Sequence, residues 1–151
     1  MFDSGFHVTS SVALDPIGEK KALVSSKKIR EGGGDIVSGE VFGSDLIHSQ
    51  VYVYPDKIAD CYGTPRWFDE YGVVFAISIA RQEKYLERQN KKMGIFSNSE
   101  GWQIGDEVPL ENINFIAIPF AHLPDAEKWV SQNCPGTKIV SREALYLKYG
   151  K

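Results

Sequence analysis

The sequence predicts an α+β fold, in which a split, mixed or antiparallel β-sheet carries small flanking helices. The β-favouring stretches are short and numerous, and a few helical stretches separate them. Strands and helices do not alternate regularly, as they would in a doubly wound parallel fold. The chain has 151 residues, of which 42% are hydrophobic and 25% are charged. These values predict a single domain over residues 1–151 with a core of its own.

The N-terminal part of the chain predicts one strand, one weak helix and one loop. Residues 5–10, GFHVTS, are typical of a short strand. Residues 12–23 are weakly helical, and Pro16 predicts a kink or a helix start there. Residues 24–35 are polar and contain three successive glycines, which favours a flexible loop.

The middle of the chain predicts two strands and two helices. Val51–Tyr54 is a run of β-favouring residues, and a short helix is expected over 57–63. The continuous apolar run at 71–80 indicates a central strand that is covered on both faces. Residues 80–94 predict a solvated helix, rich in Lys, Arg and Glu, that ends at Gly94.

The C-terminal part predicts further strands around one helix. A strand is expected near residues 101–104, and a stronger one over 113–118. A short helix over 123–133 is ended by a Pro-Gly pair. Residues 137–150 predict one or two closing strands.

The overall charge excludes few partners. The formal net charge is −3, from 17 basic and 20 acidic residues, so there is no general electrostatic argument for nucleic acid or membranes.

No apolar run approaches the roughly 20 residues that span a bilayer, and no signal peptide is visible. We expect a cytoplasmic protein, or one delivered into a host cell without a classical signal peptide.

Metal and thiol chemistry have little support in the sequence. The only cysteines, Cys61 and Cys134, form neither a metal-spaced cluster nor a disulfide framework. The histidines His7, His48 and His122 are widely separated and show no H-E-x-x-H pattern. The sequence therefore predicts reduced thiols and no bound metal.

Other common catalytic motifs are also missing from the sequence. It contains no Walker-type phosphate loop and no G-x-S-x-G elbow. The glycine-rich stretch at 30–35 neither follows a predicted strand nor opens a helix, so it is not a dinucleotide fingerprint.

Three short motifs nevertheless follow one another in a recognisable order. They are FHVTS at residues 6–10, VYVYPDKIADCYG at 51–63, and SEGWQIGDEVPLENINFIAIP at 99–119. This order resembles the ADP-ribosyltransferase superfamily, and within it the diphtheria-toxin-like branch of poly-ADP-ribose polymerases and DarT-like toxins. That branch carries a His–Tyr–Glu signature on three separate strands. The resemblance implies an ADP-ribosyltransferase-like split sheet and NAD as co-substrate, with no metal.

The resemblance assigns five residues to NAD binding. His7 would donate to a ribose hydroxyl on the adenosine side. The backbone of Val8 would meet the nicotinamide carboxamide, and Thr9 would shape that wall. Tyr52 would lie beside the nicotinamide and Tyr62 would stack on its ring. Aromatic faces suit this ring because nicotinamide is flat and cationic in NAD.

The resemblance also assigns the catalytic acid. Glu100 would hydrogen-bond the 2′-hydroxyl of the nicotinamide ribose, where a carboxylate stabilises the positive charge that develops as the glycosidic bond breaks. Glu143 is the rival acid, because it too precedes a β-like run. Glu100 is favoured, since the strand entry VPLENI follows it.

The sequence departs from the family pattern at two places. Residues 58–61 contain no serine ahead of Tyr62 to hold the carboxamide. Asn98 stands where arginine-modifying relatives carry an acidic residue, so arginine modification is less favoured.

The expected function is mono-ADP-ribosylation of a macromolecule. A domain of this size suits a bacterial effector, toxin or phage protein, and the acidic charge balance favours a protein acceptor over nucleic acid. Two alternatives stay open at this point. One is an RNA 2′-phosphotransferase-like enzyme of the same superfamily, and the other is a non-catalytic binding or inhibitor protein with a related fold.

Overall fold

The computed structural model of the protein describes residues 4–10, 14–25, 52–53, 72–95, 102–118, 122–141 and 144. These residues form helices and largely antiparallel β-sheets, which confirms the α+β class. The strands are β1 (Ser4–Ser10), β2 (Ala22–Val24), β3 (Tyr52–Val53), β4 (Gly72–Ser78), β5 (Gly94–Ile95), β6 (Trp102–Gln103), β7 (Glu107–Pro109), β8 (Ile113–Ile118) and β9 (Lys138–Ser141). The helices are α1 (Leu14–Lys20), α2 (Ile79–Glu87) and α3 (Leu123–Asn133), and a 3-10 turn covers Leu110–Asn112.

The largest described sheet has four strands in the order β1-β4-β8-β9. β4 runs antiparallel to both β1 and β8, whereas β8 and β9 are parallel. Parallel neighbours need a crossover connection, and α3 lies within it. Every residue from Val73 to Ile77 has 0% exposure, which confirms the prediction of a central strand covered on both faces.

The strand register separates the two faces of this sheet. Phe75 lies opposite His7 on β1 and opposite Ile116 on β8, so these three residues share one face. The Phe75 ring meets the edge of the Trp129 ring at a centroid distance of 6.4 Å, which places α3 on that face. The other face carries Phe6, whose ring centroid lies 6.3 Å from that of Phe115.

The predicted helix over residues 12–23 is only partly correct. The helix covers Leu14–Lys20, and Lys21 then adopts a left-handed conformation with φ of 56°. The next three residues form β2, which pairs antiparallel with β7. The Lys21 carbonyl accepts from the Leu110 amide at 3.0 Å. A distant strand therefore supplies the hydrogen bonds that a longer helix would have made within itself.

The prediction that α2 ends at Gly94 is wrong. The helix ends at Glu87, and Gly94 belongs to β5. The cause is a Schellman turn, in which the Lys91 amide donates to the Leu86 carbonyl and Asn90 takes a φ of 57°. Asparagine is tolerated in this left-handed position, so the helix stops before the glycine.

The remaining predicted elements agree with the described residues. The strand expected near 101–104 is β6, and Tyr52–Val53 is strand within the predicted Val51–Tyr54. Both β8 and α3 have the predicted bounds. β9 is the first of the expected closing strands. The predicted loop beyond residue 25 and the helix over 57–63 lie outside the described residues.

One closing strand, β9, agrees with the expectation of one or two, and Ala144 is the described residue beyond it. That residue is helical, and its amide donates to the Ser141 hydroxyl at 3.2 Å. A serine side chain that accepts from the amide three residues later is typical of a helix N-terminus.

Candidate functional site

The strands that carry the His and Tyr motifs lie side by side. Cα atoms of β3 approach those of β1 within 8 Å. β3 also pairs antiparallel with β6, with Tyr52 opposite Gln103 and Val53 opposite Trp102. Because β6 begins two residues after Glu100 in the sequence, the segments of all three motifs meet around β3.

The predicted site residues differ in how far the structure describes them. His7 is half-buried on β1, and the backbones of Val8 and Thr9 continue that strand. The backbone of Tyr52 belongs to β3. Three further predicted residues lie outside the described part of the chain; they are Tyr62, Glu100 and the rival acid Glu143.

His7 lies on the sheet face that α3 covers. Its partner across the β1–β4 ladder is Phe75, a fully buried member of the core. His7 itself is half-buried.

A buried polar network links α2 to the turn that follows β6. Gln82 has 0% exposure, and its Nε2 donates to the Ile104 carbonyl at 2.7 Å and to the Glu107 carbonyl at 3.1 Å. Its Oε1 accepts from Asn112 Nδ2 at 2.9 Å. A buried amide pays a large desolvation cost unless its donors and acceptor are paired, and here they are paired.

The same helix makes further contacts with this turn. Gly105 has a φ of 104°, and a Cβ atom built there would lie 2.7 Å from Leu86 Cδ2. The Tyr85 hydroxyl donates to the Glu107 carboxylate at 3.0 Å. Only a glycine allows the turn both this backbone conformation and this close approach to the helix.

Sequence reasoning missed this network because it treated α2 as a solvated helix. A signal was present in the spacing of the chain. Ile79, Gln82 and Leu86 follow one another at intervals of three and four residues, which puts them on one helix face. A glutamine in the middle of an apolar stripe indicates a buried hydrogen-bonding role.

An open depression of about 570 Å³ lies along the end of α2. Its described lining residues are Glu83, Leu86, Glu87, Asn90, Lys91, Lys92 and Met93. Two carboxylates and two ammonium groups balance one another there, so the described lining favours neither an anionic nor a cationic ligand.

The described residues offer little for metal or thiol chemistry. No group of three or more His, Cys, Asp or Glu residues within them could hold a metal ion. Burial raises the pKa of the Cys134 thiol, while a hydrogen bond with Thr137 and the charge of Lys21 act in the opposite direction. The thiol is therefore protonated at neutral pH and is a poor nucleophile.

None of the described helices is long and apolar enough to cross a membrane. A scan against protein-family models finds no match, and searches of curated proteins and of solved structures find none either. The resemblance to ADP-ribosyltransferases therefore depends on the short motifs of this chain alone.

Proposed function

We propose that the protein is a mono-ADP-ribosyltransferase that cleaves NAD at the nicotinamide–ribose bond and transfers ADP-ribose to a macromolecule, with a protein as the favoured acceptor. The observation that carries the proposal is the adjacency of the motif strands. β3 lies beside β1 and pairs with β6, so segments more than 40 residues apart in sequence converge. A site that must contact both riboses and the nicotinamide of one dinucleotide needs such convergence.

The proposed residues divide the work between binding and bond cleavage. His7 holds the adenosine-side ribose, the Val8 backbone holds the carboxamide, and Thr9 forms the adjoining wall. Tyr52 and Tyr62 enclose the nicotinamide ring. These contacts orient NAD before the reaction, which lowers the entropic part of the barrier.

Glu100 acts on the transition state. As the glycosidic bond breaks, its electron pair leaves with nicotinamide and the anomeric carbon of the ribose becomes positively charged. The Glu100 carboxylate accepts a hydrogen bond from the ribose 2′-hydroxyl and stabilises this charge. A nucleophile of the acceptor then bonds to the anomeric carbon and releases its proton, which completes the transfer.

The test is transfer of label from NAD to proteins of a bacterial or host-cell lysate, together with release of free nicotinamide. Glu100→Gln keeps the size of the side chain and removes its charge, and it is expected to lower both rates by at least about a hundredfold. Glu127→Gln is the matched control, because Glu127 is an exposed residue of α3 and the change in charge is the same. Equal rates in the two variants would contradict the role of Glu100.

A second variant, Glu143→Gln, tests which glutamate is the catalytic acid separately from whether the reaction occurs. If Glu143→Gln abolishes transfer while Glu100→Gln does not, the reaction stands and the catalytic acid is Glu143. If the wild-type protein neither binds nor consumes NAD, the proposal fails. A non-catalytic binding protein is then the better interpretation.

A further inference from the structure

We propose that Gln82 is a positioning residue for the site, because its buried amide holds the turn at residues 104–107 and thereby fixes strand β6. The catalytic consequence rests on the proposed function, since β6 follows the proposed acid Glu100 by two residues. The mechanical part concerns the fold alone and can be measured without any substrate.

The first step is that the contacts form a closed ring. β4 pairs with β1, β1 lies beside β3, and β3 pairs with β6. β4 also continues directly into α2 at Ser78, without an intervening loop. The Gln82 hydrogen bonds to the turn after β6 therefore close the ring between the four-stranded sheet and the three-stranded sheet of β3, β6 and β5.

The second step is that the chemistry requires an amide at this position. The two N–H groups of Nε2 each reach a different carbonyl, one at each end of the turn. Oε1 accepts from Asn112 Nδ2, which holds the amide in the orientation that aims both donors at the turn. A carboxylate would offer no donor, and a thioether would offer neither donor nor useful acceptor.

The third step is that the turn packs too closely against the helix to move independently of it. The φ of 104° at Gly105 and the 2.7 Å approach of a built Cβ atom to Leu86 show that the backbone lies directly on the helix face. Loss of the Gln82 bonds leaves the buried Ile104 carbonyl and the half-buried Glu107 carbonyl without that partner, which favours opening of the turn towards water. β6 ends at Gln103, directly before Ile104, so the strand moves with the turn.

The experiment compares Gln82→Met with Gln132→Met in the full-length protein. Gln132 is an exposed residue of α3, so the control makes the same chemical change outside the network. Hydrogen exchange of the peptide covering 102–107 is expected to accelerate at least about tenfold in Gln82→Met, which corresponds to the loss of one to two hydrogen bonds. Exchange in β8 is expected to stay unchanged in both variants.

The kinetic readout is the split between kcat and KM for NAD. Because Glu100 acts on the transition state, Gln82→Met is expected to lower kcat at least about tenfold and to change KM less. Asn112→Ala is the milder second variant, since it removes only the group that orients Gln82. It is expected to shift exchange and kcat in the same direction by a smaller factor, and it serves if Gln82→Met does not fold.

The outcomes distinguish this inference from the proposed function. Unchanged exchange at 102–107 overturns the mechanical part. Faster exchange with an unchanged kcat overturns the positioning role and leaves the proposed function intact. Absence of NAD consumption by the wild-type protein overturns the proposed function and the positioning role together, and the exchange result then stands only as a property of the fold.

Discussion

At the scale of single residues, Asn90 determines where α2 ends. Its φ of 57° lies in the left-handed region, which most side chains enter only at a cost of about 1–2 kcal/mol. We expect Asn90→Ala to lower the free energy of unfolding by about 1 kcal/mol, because alanine lacks the polar side chain that makes this conformation tolerable. Urea unfolding followed by far-UV circular dichroism measures the change.

The neighbouring residue provides the control for this prediction. Gln89 is also exposed, and its φ is not positive. Gln89→Ala should therefore leave stability within about 0.5 kcal/mol of the wild type. Asn90→Gly should be at least as stable as Asn90→Ala, because glycine enters the left-handed region freely. Equal losses at positions 89 and 90 would refute the conformational explanation.

His7 illustrates what a strand register adds to a residue type. The sequence identifies a histidine in a strand but does not say which face of a sheet it occupies. The pairing with Phe75 settles the face, because residues directly opposite in an antiparallel ladder point the same way. His7 shares the helix-covered face with the core and is nevertheless only half-buried.

At the scale of elements, the junction between β4 and α2 depends on a single cap. Ser78 ends the strand, and its hydroxyl accepts from the Arg81 amide at 3.3 Å. We expect Ser78→Ala to cost about 1 kcal/mol of stability, because the amide loses its partner in a site with only 8% exposure. The loss is measured as a shift of the urea midpoint with an unchanged m-value.

A serine elsewhere tests whether the effect belongs to the cap. Ser131 is exposed within α3, where alanine has the higher helix propensity. Ser131→Ala is therefore expected to be neutral or slightly stabilising. If the two substitutions change the urea midpoint alike, the capping bond contributes nothing measurable.

Elements with a strong local pattern could be predicted from the sequence, and those defined by a distant partner could not. β8 is marked by its own apolar run, and the end of α3 is marked by the Pro-Gly pair that follows it. β2 is different, because its three residues are a strand only through pairing with β7, some 85 positions later. Local propensity does not report a pairing with a distant strand. The predicted helix over 12–23 therefore ran into the first two residues of β2.

At the scale of the whole molecule, the proposed site also combines features that the sequence shows locally with contacts between distant segments that it does not show. The order of the three motifs is readable along the chain, but the contact of β3 with β1 and its pairing with β6 are long-range features. The spacing of Ile79, Gln82 and Leu86 indicates a buried glutamine, but the sequence does not say which groups it binds. Its partners, the carbonyls of Ile104 and Glu107, are known only from the fold.

Trp129 is one of the residues that join the N-terminal and C-terminal parts of the chain. Its indole N–H donates to the Leu14 carbonyl at 2.9 Å, which joins α1 to α3. Its ring also meets Phe75 at 6.4 Å and 69°, so one side chain connects both helices with the central strand. We expect Trp129→Phe to destabilise the protein by about 1–3 kcal/mol, because the carbonyl loses its donor and the smaller ring leaves a space. Trp129→Leu, which also removes the aromatic pair, should cost more, about 3 kcal/mol or above.

Unfolding in urea, measured by far-UV circular dichroism, tests both variants against Lys128→Ala. Lys128 is the exposed neighbour on the same helix, and its replacement should stay within about 0.5 kcal/mol of the wild type. Because the Trp129–Leu14 hydrogen bond connects residues 115 positions apart, its loss should also speed hydrogen exchange in α1 more than in β4. A Trp129→Phe variant as stable as the wild type, with unchanged exchange in α1, would show that the Leu14 hydrogen bond does not hold the two helices together.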